Sequence, residues 1–163
     1  MKKTAWGMPM TGRSALRAIV AAGLGLGLFS TGAAWAQDAG GCPNIPAESG
    51  LTWEYRGNGE MDFCRALRND GSEAFGLYIA KKTPFTPKSG KRAETGHIDG
   101  QEVTWYRGEL AGKPDVQVRE TLLPLADGRV AHIWMQASNA YELGEVIRQA
   151  ETMQFPATRL SSK

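Results

Sequence analysis

The chain is 163 residues long, with 19 Lys and Arg side chains against 17 Asp and Glu. Four of the basic residues, Lys2, Lys3, Arg13 and Arg17, fall in the first 36 positions, which hold no acid; the other 127 residues carry 15 basic against 17 acidic side chains, a formal charge of −2. That balance excludes a globally basic, nucleic-acid-binding protein, and 127 residues fit one domain with a modest core.

Residues 1–36 read as a cleaved secretory signal peptide. A positive start is followed by the apolar run Ala18 to Phe29, twelve residues long and too short to span a bilayer, and then by Ala34-Trp35-Ala36, an A-x-A cleavage pattern. Cleavage after Ala36 leaves a chain without a transmembrane segment. No Arg-Arg pair is present, so the general secretory route is expected, with a periplasmic or secreted destination. Ala39-Gly40-Gly41 lacks the large aliphatic residue of a lipoprotein signal, which argues against a lipid on Cys42.

Residues 37–50 form a Pro- and Gly-rich segment. Cys42 lies there and Cys64 lies further on; an even cysteine count in an exported chain predicts one disulfide. It would tie this segment to the second strand of a single domain spanning 51–157. No C-x-x-C spacing supports a redox role.

"LTWEYR" alternates, with Leu51, Trp53 and Tyr55 on one face, as a half-buried strand requires. "GNGE" interrupts it. "MDFCRAL" and "AFGLYIA" flank Asn69-Asp70-Gly71 and predict a hairpin, with Phe75, Leu77 and Ile79 sharing a face. The stretch "KKTPFTPKSGKR", Lys81 to Arg92, follows. It holds five basic residues, two prolines and one phenylalanine in twelve positions, and no acid. Two X-Pro steps keep it extended and outside regular structure.

"ETGHI" and "QEVTWYRGEL" flank Asp99-Gly100, a second hairpin; "VQVRETLLPL" and "RVAHIWMQA" flank Ala126-Asp127-Gly128, a third. In the last strand Ala131, Ile133, Met135 and Ala137 share one face, and His132, Trp134 and Gln136 the other. The period then changes. Leu143, Val146, Ile147, Ala150 and Met153 form one face of an α-helix, with Asn139 as N-cap and Glu142 in the capping-box position. Residues 158–163 are expected to be a flexible tail.

Strands in hairpins followed by one amphipathic helix predict an α+β domain: an antiparallel sheet with the C-terminal helix packed on one face. The other face still carries large side chains such as Trp105 or Trp134, so a second layer covers it or it is exposed and binds something. Trp105 and Tyr106 are neighbours and must point to opposite faces. The hairpins, the "GQEVTWYRG" and "DGRVAHIWMQA" strands and the helix ending "TMQF" resemble, over roughly Leu51 to Phe155, the layout of the Mog1/PsbP-like α-β-α sandwich. That resemblance implies a small exported protein of an accessory or binding kind. It is one of layout, with no motif that carries functional positions across.

Motifs for catalysis are missing. His97 precedes a hairpin turn and His132 sits in a strand; neither has metal-ligand or haem spacing. No G-x-S-x-G or phosphate-binding glycine loop occurs. Glu109, Asp115 and Glu120 could pair only through the fold. We therefore expect no enzyme, no cofactor and no metal, and a non-catalytic periplasmic binding or accessory protein. The alternative is a periplasmic inhibitor or immunity protein that blocks a toxin or hydrolase; a small hydrolase is a third class. The candidate partner-binding residues are Lys81, Lys82, Phe85, Lys88, Lys91 and Arg92, suited to an anionic envelope component or a periplasmic protein. The same stretch also reads as a solvated crossover. Phe85 separates the two: buried, it anchors the loop; exposed among cations, it is a contact residue.

Overall fold

A computed structural model describes residues 41–156. The predicted leader 1–36 and tail 158–163 lie outside the described residues.

Seven strands are followed by one helix: β1 (Thr52–Gly57), β2 (Met61–Leu67), β3 (Glu73–Ala80), β4 (Arg92–Ile98), β5 (Gln101–Gly108), β6 (Gln117–Pro124), β7 (Val130–Ala137) and α1 (Ala140–Glu151). They form one sheet in the order β1-β2-β3-β7-β6-β5-β4, antiparallel at every pairing. The α+β architecture, with successive hairpins and a C-terminal helix on one face, is the one the sequence pattern predicts.

The turns follow from local chemistry. Between β4 and β5, Asp99 has φ 50° and Gly100 φ 75°, two left-handed residues in succession, as a two-residue hairpin of the primed type requires. In α1, the Asn139 side chain accepts the Glu142 N–H at 2.9 Å. The Glu142 carboxylate reaches back one residue beyond the expected position, accepting from the Ser138 N–H at 2.8 Å and from its hydroxyl at 2.6 Å. The capping box is thus closed on Ser138.

Register fixes the two faces. Trp53, Cys64, Phe75, Leu77, Ile133, Met135, Thr121 and Trp105 lie towards α1, which buries Leu143, Val146 and Ala150 against β7, flanked by β3 and β4. The core sits between sheet and helix. Cys42 and Cys64 are bonded, with Cα atoms 5.8 Å apart and both residues buried, and Trp53 donates its indole N–H to the Pro43 carbonyl at 2.7 Å. Asn44 pairs with Gln154, so the N-terminal segment is also clamped to the chain beyond α1.

Two expectations change. Trp105 is fully buried beneath the helix, so of the two tryptophans only Trp134 faces the other side. The second helical layer implied by the Mog1/PsbP-like resemblance is not found: the described residues contain one α-helix, on one face.

The other face is crossed instead by the basic stretch. Four antiparallel steps separate β3 from β4 in the sheet, so these two strands run parallel and lie on either side of β7, β6 and β5. A hairpin cannot join them. The segment between Ala80 and Arg92 must carry the chain over three strands and back along the sheet. Four strand spacings amount to about 19 Å. Eleven extended residues reach about 36 Å. An extended peptide is therefore long enough where a helix of the same length would not be, and Pro84 and Pro87 hold it extended.

Candidate functional site

The crossover is pinned near its middle by Phe85. This ring stacks on His132 of β7, with centroids 4.8 Å apart and planes 6° from parallel, and meets the Tyr106 ring of β5 edge-on at 6.1 Å. The Phe85 N–H also reaches the Thr83 hydroxyl at 3.2 Å, a local turn bond. Phe85 is half-buried. It is the loop's structural anchor.

His132 belongs to a row of rings across the open face. Trp134 lies 5.5 Å from it and Phe63 lies 5.6 Å from Trp134. The row rests on a glycine: Trp134 lies over Gly76, where an added Cβ would fall 2.2 Å from the indole. The Trp134 N–H is fixed by Glu73 at 3.1 Å.

The charges on this face divide sharply. On β1 to β3 they are compensated: Glu54 pairs with Arg56 at 2.6 Å and Arg65 at 2.8 Å, and Arg65 with Glu73 at 2.7 Å. Elsewhere Arg119 is gripped by both oxygens of Glu94, Arg129 is held by Asp62 and Asp127, and Arg68 and Arg148 have their own acids. Among the described residues the cations without a carboxylate partner are Lys81, Lys82, Lys88, Arg92, Arg107 and Lys113. All but Lys113 lie on the crossover or against its far end. Within the crossover only Lys91 is paired, to Glu109.

Two grooves flank the crossover. At its start a space of about 460 Å³ is lined by Asn58, Glu60, Met61, Tyr78, Lys81, Lys82 and Arg129. At its far end a space of about 290 Å³ is lined by Phe85, Lys88, Lys91, Tyr106, Glu109 and Glu120, and by Arg107, whose side chain by register belongs to the opposite face with Arg119. The six candidate residues are thus divided: Lys81 and Lys82 border the first groove, Phe85, Lys88 and Lys91 the second. Arg92 opens β4 opposite Tyr106 and lies in neither, its carbonyl accepting from Arg107 at 2.9 Å.

Glu120, which lines the second groove, forms with His132 behind it the most unusual titratable pair. His132 Nε2 is buried without a hydrogen-bond partner, and Glu120 Oε1 stands 3.7 Å away. Desolvation pushes the Glu120 carboxyl above the ordinary carboxylate range and holds the His132 imidazole below its usual value. Both shifts favour the neutral forms. Glu109 shares this groove, but its carboxyl is held low by Lys91. Asp115 lines neither groove, and His97 is exposed on the edge strand.

Sequence reasoning does not find Tyr78, Tyr106, Arg107, Arg129 or Glu120 as groove residues. They come from strands far apart in the chain, and only the alternation of "HIW" and "TWYRG" hinted that His132 and Tyr106 share the face away from the helix.

Among the described residues no group of three His, Cys, Asp or Glu side chains is arranged to hold a metal ion, and no helix is long and apolar enough to cross a membrane. Comparison with protein-family models, with curated proteins and with solved structures finds no match to this chain.

Proposed function

We propose that this chain is an exported, non-catalytic binding module that recognises an anionic envelope component through the crossover. One observation carries the reading: among the described residues, the positive charge left without a carboxylate is concentrated on and beside a single segment, whose backbone is pinned to the sheet by Phe85. An exposed lysine alone contributes little in salt, but several on an ordered backbone act together and lose little entropy on binding. The leader pattern and the Cys42–Cys64 bond support an oxidising, extracytoplasmic location. The test replaces Lys81, Lys82, Lys88, Lys91 and Arg92 together by Gln and measures binding to phosphatidylglycerol vesicles and envelope extract. Loss of binding is expected; unchanged binding sinks the reading.

A second reading, a periplasmic inhibitor or immunity protein, is favoured by the same anchoring, which would present a stiff segment to a partner's cleft. A stable stoichiometric complex with an envelope or competitor hydrolase, lost on altering the crossover but indifferent to anionic lipid, would select it.

A further inference from the structure

The sheet ends in two edge strands, and they differ. β4 is irregular: its pairing with β5 shifts register between Arg92 and Thr95, a break of the kind that makes an edge a poor template. β1 pairs with β2 without a break from Thr52 to Gly57 and holds no proline and no lysine. Among the described residues no strand pairs with its outer side. At its centre stands Tyr55, which is 39 % exposed where most large apolar side chains of the described residues are covered.

The turn after β1 decides which groups that edge presents. The Asn58 N–H donates to the Met61 carbonyl at 3.2 Å, so Asn58 is turned towards β2. Main-chain groups alternate along an antiparallel strand. Arg56, Glu54 and Thr52 therefore turn their N–H and C=O groups to β2, and Gly57, Tyr55 and Trp53 turn theirs outward. Side chains alternate as well. Glu54 and Arg56 lie on the face that carries the crossover, and Tyr55 lies on the helix face. The Tyr55 ring is held by its hydroxyl, which donates to Asp62 at 2.7 Å, and it lies over Gly57, where an added Cβ would fall 2.0 Å from that hydroxyl.

The order Glu54-Tyr55-Arg56 is self-complementary. When two such strands run antiparallel about a two-fold axis at Tyr55, Tyr55 meets its own copy and each Glu54 meets Arg56 of the other chain on the same face. Tyr55 with Tyr55, and Trp53 with Gly57 twice, are then the hydrogen-bonded pairs, with about six main-chain bonds that use every outward group from Trp53 to Gly57. Glu54 and Arg56 take the positions between, where side chains stand closest, and form two ion pairs across the strands. The neighbouring registers that also set outward groups against outward groups place the axis at Glu54 or at Arg56. Each of them opposes two like charges, so the charges select the axis at Tyr55.

We propose that β1 pairs with β1 of a second copy of this chain about a two-fold axis at Tyr55, joining the two sheets edge to edge in a reversible dimer. The helices of both copies then lie on one side and both crossovers on the other. One pair of short strands is a small contact, so the dimer is weak and forms at high local concentration. The pairing stands independently of the binding role proposed above.

Sedimentation and amide hydrogen exchange of the purified chain test it. The dimer fraction should rise between about 10 µM and about 1 mM, the range of a small transient interface. Over the same range exchange at Trp53, Tyr55 and Gly57 should slow, while Glu54 and Arg56, already bonded to β2, change little. Arg56→Glu sets like charges against each other in the pair and should lower the association constant roughly tenfold; Glu54→Lys should do the same, and Arg65 keeps Glu73 in that variant. Mixed together, these two variants again set opposite charges face to face and should associate as the wild type does. Tyr55→Pro removes an outward N–H that β2 does not use, so the domain should fold and the dimer should be lost. If circular dichroism shows that this variant does not fold, the exchange pattern and the charge variants decide. A chain that stays monomeric at about 1 mM overturns the proposal, as does a dimer that forms without slower exchange at Trp53, Tyr55 and Gly57 or that survives in folded Tyr55→Pro. Arg56→Glu and Glu54→Lys variants that associate alone as tightly as when mixed overturn the axis at Tyr55.

Discussion

Phe85 lies parallel to His132 at 4.8 Å, so one aromatic ring from the most polar stretch of the chain is spent on holding that stretch to the sheet. The stack explains how a segment rich in lysine and proline can cross three strands in a defined place. It also commits the only aromatic side chain of the crossover to the sheet, one edge of it lining the second groove. What the segment offers a partner is charge on a fixed frame.

Phe85→Ala should therefore free the crossover without unfolding the domain. The lost stacking and burial of a half-exposed ring should cost about 2 kcal/mol, less than a fully buried phenylalanine would. Urea denaturation reads the stability, and hydrogen exchange across residues 81–91 reads the order. Unchanged protection in that segment would show that something other than Phe85 holds it.

Gly76→Val places a side chain where Trp134 now lies, with the Cβ 2.2 Å from the indole. The tryptophan must leave the sheet surface and its bond to Glu73. We expect a loss of about 1–3 kcal/mol and a shifted Trp134 indole N–H resonance. A variant as stable as the wild type with the resonance in place would contradict the close approach.

Reduction of the Cys42–Cys64 bond, or its replacement by two alanines, should lower stability by about 3 kcal/mol, the loop-closure value for a separation of 22 residues. The Asn44–Gln154 pairing and the Trp53–Pro43 bond would then have to order the N-terminal segment unaided. Equal urea midpoints with and without reductant would remove the disulfide from the account of stability.

Stability should depend on pH through Glu120 and His132, in opposite senses. Glu120 binds its proton more tightly folded than unfolded, so folding is disfavoured as pH rises above the ordinary 4.5 and through the raised folded value. His132 binds its proton less tightly when folded, so stability falls as pH drops below the ordinary 6.5 towards the lowered folded value. Glu120→Gln should be more stable than the wild type at neutral pH, with the gain vanishing in acid. Urea midpoints from about pH 4 to about pH 8 test this; a variant that is less stable at neutral pH would mean that Glu120 is held as a stabilising ion instead.

The elements were legible because their signals are local. Alternation in "AFGLYIA" and "VAHIWMQA", the Asp99-Gly100 turn, and the three-and-four spacing of Leu143, Val146 and Ala150 each depend on neighbours within a few residues. The order of the strands was not legible. Pairing β3 with β7 joins residues as far apart in the chain as Phe75 and Met135, and alternation says only which side chains share a face, not which strand lies beside which. That the described residues hold no second helical layer has the same origin: a layout of hairpins and one helix leaves open what covers the far side of the sheet.

The charges divide in the same way. Composition and the leader pattern by themselves identified a slightly acidic domain with one basic stretch, because counting needs no geometry. Which of those cations lack a partner, and which acid is left half-buried among them, was decided by the tertiary structure. An ion pair forms over a few ångströms whatever the distance along the chain. Glu94 met Arg119 and Asp62 met Arg129, while folding brought Glu120 close to His132 and left Lys88 unpaired beside the same groove.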